Sequence, residues 1–144
     1  MFLGEYNHSV DAKGRLIVPA KFREELGNDF IVTKGLDGCL YIYPNEEWAE
    51  FEQKLSSLPM GKSDIRKLVR FFLSSATQVE VDKQGRILIP ATHREFAGLD
   101  KDVVLAGVGK KIEIWSADKW ADATFGEEDM DDVAERMADL GIAF

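Results

Sequence analysis

Short stretches of alternating hydrophobic and polar residues run along the chain, separated by glycine-rich turns and by proline. Alternation with a period of two predicts strands. Residues 19–27 lie between the second and third of four such stretches. This segment begins with Pro19 and ends with Gly27, which is the usual pattern of a short helix. The unit is therefore predicted to be ββαββ, with consecutive strands paired as hairpins. The four strand-like stretches are residues 5–10, 15–18, 29–33 and 40–43.

The same order of elements returns about 71 residues later. Aligning residues 11–27 with residues 82–98 gives eight identities in 17 positions, where composition alone would give about one. The offset then drifts to 73 and 72 through loop insertions, and Trp48 and Trp120 keep the 72-residue register. The chain is therefore an internal duplication of the ββαββ unit.

Segments with helical periodicity follow each repeat. Residues 45–58 and 63–75 each carry an apolar stripe, and the tail repeats this spacing from Met130 to Met137. The basic residues 62, 66, 67 and 70 lie mostly off the second stripe, which favours a solvated face or a contact with another subunit's acids over direct DNA contact. We divide the chain into a first repeat with its helix, a connecting helix, a second repeat with its helix and an acidic helical tail. These are residues 1–58, 59–75, 76–125 and 126–144.

The residues that recur most strictly spell Asp-x-x-Gly-Arg. This spacing predicts a three-residue loop, a type I turn closed by a glycine with positive φ. We expect each aspartate to accept turn amide hydrogens and to pair with the arginine across the turn, which is a structural role. The motif residues are Asp11, Gly14 and Arg15 in the first copy and Asp82, Gly85 and Arg86 in the second.

Basic side chains surround these turns, and a two-stranded ribbon is narrow enough to enter a DNA major groove. Lys13 and Arg15 lie at the first turn, and the arginine fork matches guanine and phosphate oxygens. We therefore favour DNA contact over a salt bridge alone for Arg15 and Arg86.

The charge distribution decides whether nucleic acid is a reasonable partner. A net charge of −8 argues against it, because DNA affinity comes largely from phosphate neutralisation. However, residues 118–144 hold nine acids and two bases, which leaves 17 acids and 16 bases in the rest of the chain. A near-neutral body with an acidic tail allows a local basic edge.

Other functional classes find little support in the residue inventory. Cys39 is the single cysteine, and two histidines beside it are too few for a Cys/His metal site. No phosphate-cradling glycine motif occurs, and no window approaches the length of a membrane span. We expect no catalytic residues, no metal, no cofactor, no small-molecule substrate and no membrane association, and we expect a cytoplasmic protein.

The doubled turn motif, each copy running into an apolar strand, Pro19 or Pro90, and a short helix, resembles the MraZ family of bacterial transcription regulators over essentially the whole chain. The single unit resembles the wider AbrB-like swapped-hairpin family. The resemblance implies an α+β fold in which the tandem ββαββ repeats form one pseudo-two-fold swapped-hairpin β-barrel. It also implies a ring-shaped homo-oligomer, nucleoid-associated, that binds short direct repeats in double-stranded DNA upstream of a cell-wall and division gene cluster.

The resemblance also carries over candidate DNA-binding residues. The DNA-facing Asp-x-x-x-Arg positions fall on the motif aspartates and arginines, with Lys13 and Lys83 beside them. Gln84 stands where Lys13 does, so the two turns are expected to differ in charge and need not contribute equally. Arg23 and Arg94, in the helix after each turn, would be backup phosphate contacts or partners of Glu24 and Glu95. The alternative function is an oligomeric interaction module that, like an antitoxin, holds a protein partner through its C-terminal segment.

Overall fold

The computed structural model describes residues 1–126 and 128–143, and it repeats one order of elements twice. The first repeat contains β1, β2, α1, β3 and β4, followed by α2 and α3. The second contains β5, β6, α4, β7 and β8, followed by α5 and α6. The bounds of the first set are Phe2–Ser9, Arg15–Ile17, Ala20–Leu26, Asp29–Lys34, Leu40–Tyr43, Asn45–Ser56 and Ser63–Ser75. Those of the second are Thr77–Glu80, Arg86–Leu88, Ala91–Ala97, Asp102–Gly109, Ile112–Ser116, Ala117–Phe125 and Met130–Arg136.

The strands form one six-stranded antiparallel sheet in the order β1-β7-β8-β4-β3-β5 and a separate two-stranded ribbon of β2 and β6. If each strand is replaced by its counterpart in the other repeat, the same strand order results, read from the opposite edge. A pseudo-two-fold axis therefore passes between β8 and β4. Each repeat contributes its first strand to the other repeat's edge: β1 pairs with β7, and β5 pairs with β3. The chain therefore has the predicted pseudo-two-fold, swapped-hairpin α+β fold.

The predicted pairing within each first hairpin is wrong. In the first repeat, a single isolated bridge joins Val10, just after β1, to Leu16 of β2, and the two segments then diverge. Instead β2 pairs with β6, with Leu16 opposite Ile87. The reason is burial, because Leu16 and Ile87 are 0% and 1% exposed in a core that neither repeat could close alone. Periodicity identifies a strand, but it does not identify the strand's partner.

The main core lies between the ribbon and the inner face of the sheet. Its ribbon residues come from both repeats in equal number, and the sheet supplies the facing aliphatic and aromatic side chains. Each fully buried side chain of this kind contributes about 1.5 to 3 kcal/mol relative to exposure. The fully buried members include Leu16, Val18, Ile87, Ile89, Phe30, Val32, Leu40, Ile42, Val103, Leu105, Ile112 and Ile114.

Helices α2 and α3 cover the outer face of the sheet beside β3 and β4, and residues of their apolar stripes are buried there. Phe72 of α3 contacts Phe51 edge to face, with ring centroids 5.1 Å apart, and stacks on Tyr41 at 6.2 Å. The Thr33 hydroxyl donates to the Phe72 carbonyl at 2.8 Å and lies 2.9 Å from the Ser75 hydroxyl. In the part of the chain that the structure describes, none of the helices combines the length and apolar character needed to cross a membrane.

Candidate nucleic-acid interface

Both turns have the conformation that their glycines require. In the first turn the Gly14 amide donates to the Asp11 carbonyl at 3.0 Å, and the Asp11 amide donates to the Arg15 carbonyl at 2.9 Å. Gly14 and Gly85 have φ of +86° and +79°, in the region that disfavours side chains with a Cβ. The two turns therefore have the predicted left-handed glycine and nearly the same backbone shape.

Each aspartate fastens its arginine to the turn. One carboxylate oxygen of Asp11 accepts the amides of Lys13 and Arg15 at 2.9 Å each, and the other accepts Arg15 Nε at 2.7 Å. These are the bonds expected from the sequence. The pKa of Asp11 is lowered, chiefly by the hydrogen bond from the Arg15 amide and further by the Arg15 side chain. The carboxylate therefore stays ionised and fixes the direction of the arginine.

The second turn repeats this arrangement with small differences. Asp82 accepts the amides of Gln84 and Arg86 at 2.9 Å each, and Arg86 Nε at 2.9 Å. The pKa of Asp82 is lowered for the same first cause, the backbone amide of Arg86. Within the described residues, the Nη nitrogens of Arg15 and Arg86 have no hydrogen-bond acceptor, so they can donate to an external one.

The two turns are joined to each other through the ribbon. The Ile89 amide donates to the Gly14 carbonyl at 2.9 Å, and the Val18 amide donates to the Gly85 carbonyl at 2.9 Å. Because β2 and β6 are antiparallel, the turns lie at opposite ends of the ribbon. Val18, the residue that faces Gly85, lies four positions after Gly14, which corresponds to roughly 13 Å at about 3.3 Å per residue. That length is close to the width of a major groove, about 12 Å.

Arg23 and Arg94 hold the turns from the opposite repeat, an arrangement that the sequence alone did not predict. Arg94 Nε donates to the Ile89 carbonyl at 3.1 Å, and its guanidinium lies so close to Gly14 that a Cβ there would be 2.8 Å from Arg94 Cζ. Arg23 stands in the same relation to the other turn, 2.9 Å from a Cβ at Gly85. Both turn glycines are buried beneath a guanidinium of the other repeat.

This placement bears on the two roles left open for these arginines, which are phosphate contact and pairing with a neighbouring glutamate. In the described parts of the chain, Arg23 and Arg94 form no ion pair with Glu24 or Glu95, and each Nε is bound to a backbone carbonyl. Only knowledge of the partner strand could have revealed this, because Arg94 is 80 residues in sequence from Gly14, and Arg23 is 62 residues from Gly85.

The ribbon presents both motif arginines on its exposed side. Side chains alternate along a strand, so Arg15 and Arg86 point away from the core face that holds Leu16 and Ile87. Lys13 and Lys83 are exposed beside them. The two turns do not differ in charge as the Gln84 position suggested, because each carries one lysine at a different position. All six predicted basic residues therefore belong to one ribbon and its two ends.

Other candidate chemistry lies outside this surface. In the described residues, no group of three or more His, Cys, Asp or Glu side chains is placed to hold a metal ion. Cys39 points away from the main core and is fully buried in the aromatic cluster beneath α2 and α3. Burial raises the pKa of its thiol to about 12.

Comparison with known proteins agrees with the arrangement of two repeats. The family model described as "MraZ protein, putative antitoxin-like" matches residues 1–71 and again residues 72–141. One relative, named transcriptional regulator MraZ, from Acetivibrio thermocellus, is 58% identical over 99% of this chain and 100% of its own length. Proteins of the same name from Lachnoclostridium phytofermentans and Clostridium tetani are 55% and 54% identical, covering 100% and 99% of this chain and 100% of each relative.

The solution structure of PHS018 from Pyrococcus horikoshii is a more distant neighbour. It is 17% identical, covers 79% of this chain and 88% of its own, and has a TM-score of 0.32, which is too low to support an argument. The family model spans nearly the whole chain, and the relatives match it from end to end. The chain belongs to the MraZ family.

Proposed function

We propose that this protein is a sequence-specific, DNA-binding transcriptional regulator that reads the major groove with the exposed face of the β2–β6 ribbon. The observation that carries the proposal is the pair of arginines, Arg15 and Arg86, each fastened by an aspartate and both facing the same way. The name transcriptional regulator, borne by the relatives, supports the same function.

The basic residues divide into two roles by their position. Arg15 and Arg86 are each held at Nε by one aspartate, which sets the direction of their Nη groups. This arrangement suits a bidentate contact with guanine O6 and N7. Lys13 and Lys83 extend from exposed turns, and Arg23 and Arg94 lie beside them at the ribbon ends. These four would contact phosphates and position the ribbon without reading sequence.

The finer features of the function follow from the family resemblance and from charge. One near-neutral body with a few basic groups binds DNA only modestly, because exposed phosphate contacts are screened by salt. Several copies in a ring could engage successive direct repeats, so that each later contact forms at raised effective concentration. We propose such a ring on repeats upstream of a cell-wall and division gene cluster, which would place the protein on the nucleoid in the cytoplasm.

A gel shift tests the central proposal. Wild-type protein should bind DNA from upstream of its own gene more tightly than scrambled DNA at equal salt. Arg15→Ala with Arg86→Ala should abolish this preference with unchanged circular dichroism, because each lost base contact costs about 1 to 3 kcal/mol. The matched control is Lys67→Ala with Arg70→Ala, which removes the same charge from exposed positions on α3. Normal specific binding by the ribbon variant would refute the proposal.

Ring binding has its own test, based on the geometry of the DNA. Affinity should rise with the number of repeats and should favour spacings near one helical turn, about 10 to 10.5 base pairs. Inserting five base pairs between repeats should weaken binding sharply, and inserting ten should weaken it less. Equal affinity for one repeat and for three, or a monomer by light scattering at the binding concentration, would refute the ring.

A protein-binding role is the second candidate. The family description includes the words antitoxin-like, and the acidic tail exposes Met130, Leu140 and Ile142. A tail with this composition could hold a protein partner. If the protein binds its own upstream DNA no better than scrambled DNA, this second function becomes the better explanation.

A further inference from the structure

Two large aliphatic side chains share the exposed ribbon face with the arginines. Ile17 is 43% exposed and Leu88 is 58% exposed, whereas the preceding residues of their strands, Leu16 and Ile87, are buried. Ile17 and Leu88 are equivalent positions in the two repeats, 71 residues apart. Both copies of the unit therefore place an aliphatic residue on the surface at the same point of the ribbon.

The strand register sets each aliphatic residue beside an arginine. Arg15 lies directly opposite Leu88, and Ile17 lies directly opposite Arg86. Directly opposite residues of an antiparallel pair point to the same face, with Cβ atoms about 4.5 to 5.5 Å apart. The exposed face thus consists of two arginine–aliphatic pairs related by the pseudo-two-fold axis.

Such a face suits one feature of the major groove in particular. The thymine C5 methyl is the apolar group that base pairs present there, and aliphatic side chains recognise it by contact. Base pairs rise by about 3.4 Å, so a side chain about 5 Å from an arginine reaches a base one or two steps from the arginine's own.

We propose that Ile17 and Leu88 contact thymine methyl groups, so that each half of the ribbon reads a thymine within two base pairs of the base contacted by Arg86 or Arg15. This inference rests on the proposed function, because it assigns a specificity to the same face. It adds a requirement for thymine that the arginines alone do not impose.

The test replaces every thymine of the target duplex by deoxyuridine, which removes the methyl group and keeps the base pairing. Wild-type protein should bind the uracil duplex more weakly, on the order of tenfold for two lost contacts. Ile17→Ser with Leu88→Ser should bind the thymine duplex weaker by a similar factor, and it should bind the two duplexes equally within about twofold. Any effect of uracil on DNA shape would persist in this variant, so only the methyl contact cancels.

A matched variant controls for the loss of exposed aliphatic surface. Leu3→Ser with Val108→Ser removes another exposed, directly opposite pair, which lies on β1 and β7 of the six-stranded sheet. This variant should keep the full uracil penalty. If serine weakens the ribbon strands, as thermal unfolding would reveal, Ile17→Gln with Leu88→Gln gives the same comparison with another polar pair.

The outcomes separate this inference from the proposed function. Specific binding of upstream DNA with equal affinity for thymine and uracil duplexes would overturn the inference and leave the function intact. The same uracil penalty in wild type and in the Ile17/Leu88 variant would also overturn it, because the methyl contact would then lie elsewhere. Failure to distinguish upstream from scrambled DNA would refute the proposed function itself.

Discussion

The outer face of the sheet is built differently in the two halves of the molecule, although the ribbon side is nearly identical in both. In the first half, α3 lies on the sheet, and its Phe72 joins an aromatic cluster with Tyr41 and Phe51. In the second half, α6 has its main contacts with the 3₁₀ turn that follows it, and Met130 at its start is 57% exposed. Among the described residues, α3, the second helix after the first repeat, is anchored on the sheet, whereas its counterpart α6 is mostly exposed.

Two sequence differences on the sheet accompany this contrast. At the 73-residue offset, Ala106 stands where Thr33 stands, so the second half has no hydroxyl at the position from which Thr33 holds the end of α3. At the 72-residue offset, Glu113 replaces Tyr41, which substitutes a charge for the ring that stacks on Phe72. Removing a hydrogen-bonding group and an aromatic partner leaves α6 without a site of the kind that α3 occupies.

The comparison explains which constraints act on both repeats. Each ribbon strand needs the other repeat as its partner, and each turn glycine is covered by an arginine from the other repeat. A change on the ribbon side therefore disturbs both halves at once. On the outer face of the sheet, neither repeat needs the matching residue of the other, so the two halves can cover this face by different means.

The largest effect should come from breaking the anchored side. Phe72→Ala should lower the free energy of unfolding by about 3 to 5 kcal/mol, because it removes a buried ring and leaves a cavity. Met130→Ala in α6 should change it by less than about 0.5 kcal/mol. Urea unfolding of both variants measures the difference. Equal losses would mean that α6 is anchored as firmly as α3.

A smaller but symmetric effect is expected at the turns. Gly14→Val and Gly85→Val should each cost roughly 1 to 3 kcal/mol, because valine is strained at positive φ and its Cβ would meet Arg94 or Arg23. The two losses should be similar, since the turns are equivalent. Gly61→Val is the control, because nothing lies within 4 Å of a Cβ at that position. A Gly14→Val protein as stable as wild type would contradict the turn conformation.

The turn aspartates should give a modest dependence of stability on pH. Their pKa values are lowered in the folded state, so the stabilisation is full above the unfolded value of 3.8 and is lost as pH falls through the lower folded pKa. Asp11→Asn with Asp82→Asn should therefore be less stable than wild type at neutral pH, and the gap should narrow as pH falls below 3.8. Thermal unfolding from pH 7 to pH 3 measures the gap; a constant gap would contradict the lowered pKa values.

The smallest effect on stability should follow deletion of residues 126–144. The described part of this segment is exposed or half-buried, so we expect a change in unfolding free energy within about 0.5 kcal/mol. Nonspecific DNA affinity at low salt should rise, because the segment carries seven acidic residues and one basic residue. Gel shifts with scrambled DNA measure the second effect. A large loss of stability would place the tail among the anchored elements.

The sequence by itself determined the elements, the duplication and the turn chemistry. Local rules were sufficient there: strand periodicity, proline before and glycine after a short helix, and Asp-x-x-Gly-Arg for a turn whose glycine has positive φ. The sequence also identified the basic residues at the turns, although their role in binding DNA stays a proposal.

Only the tertiary structure decided which strands pair and what lies beside each turn. Leu16 could satisfy the same alternation against its own hairpin or against Ile87, and the choice follows from closing one core from two repeats. That choice brings Arg94 to Gly14 and sets Leu88 opposite Arg15. These contacts join residues more than 70 positions apart, so local pattern carries no information about them.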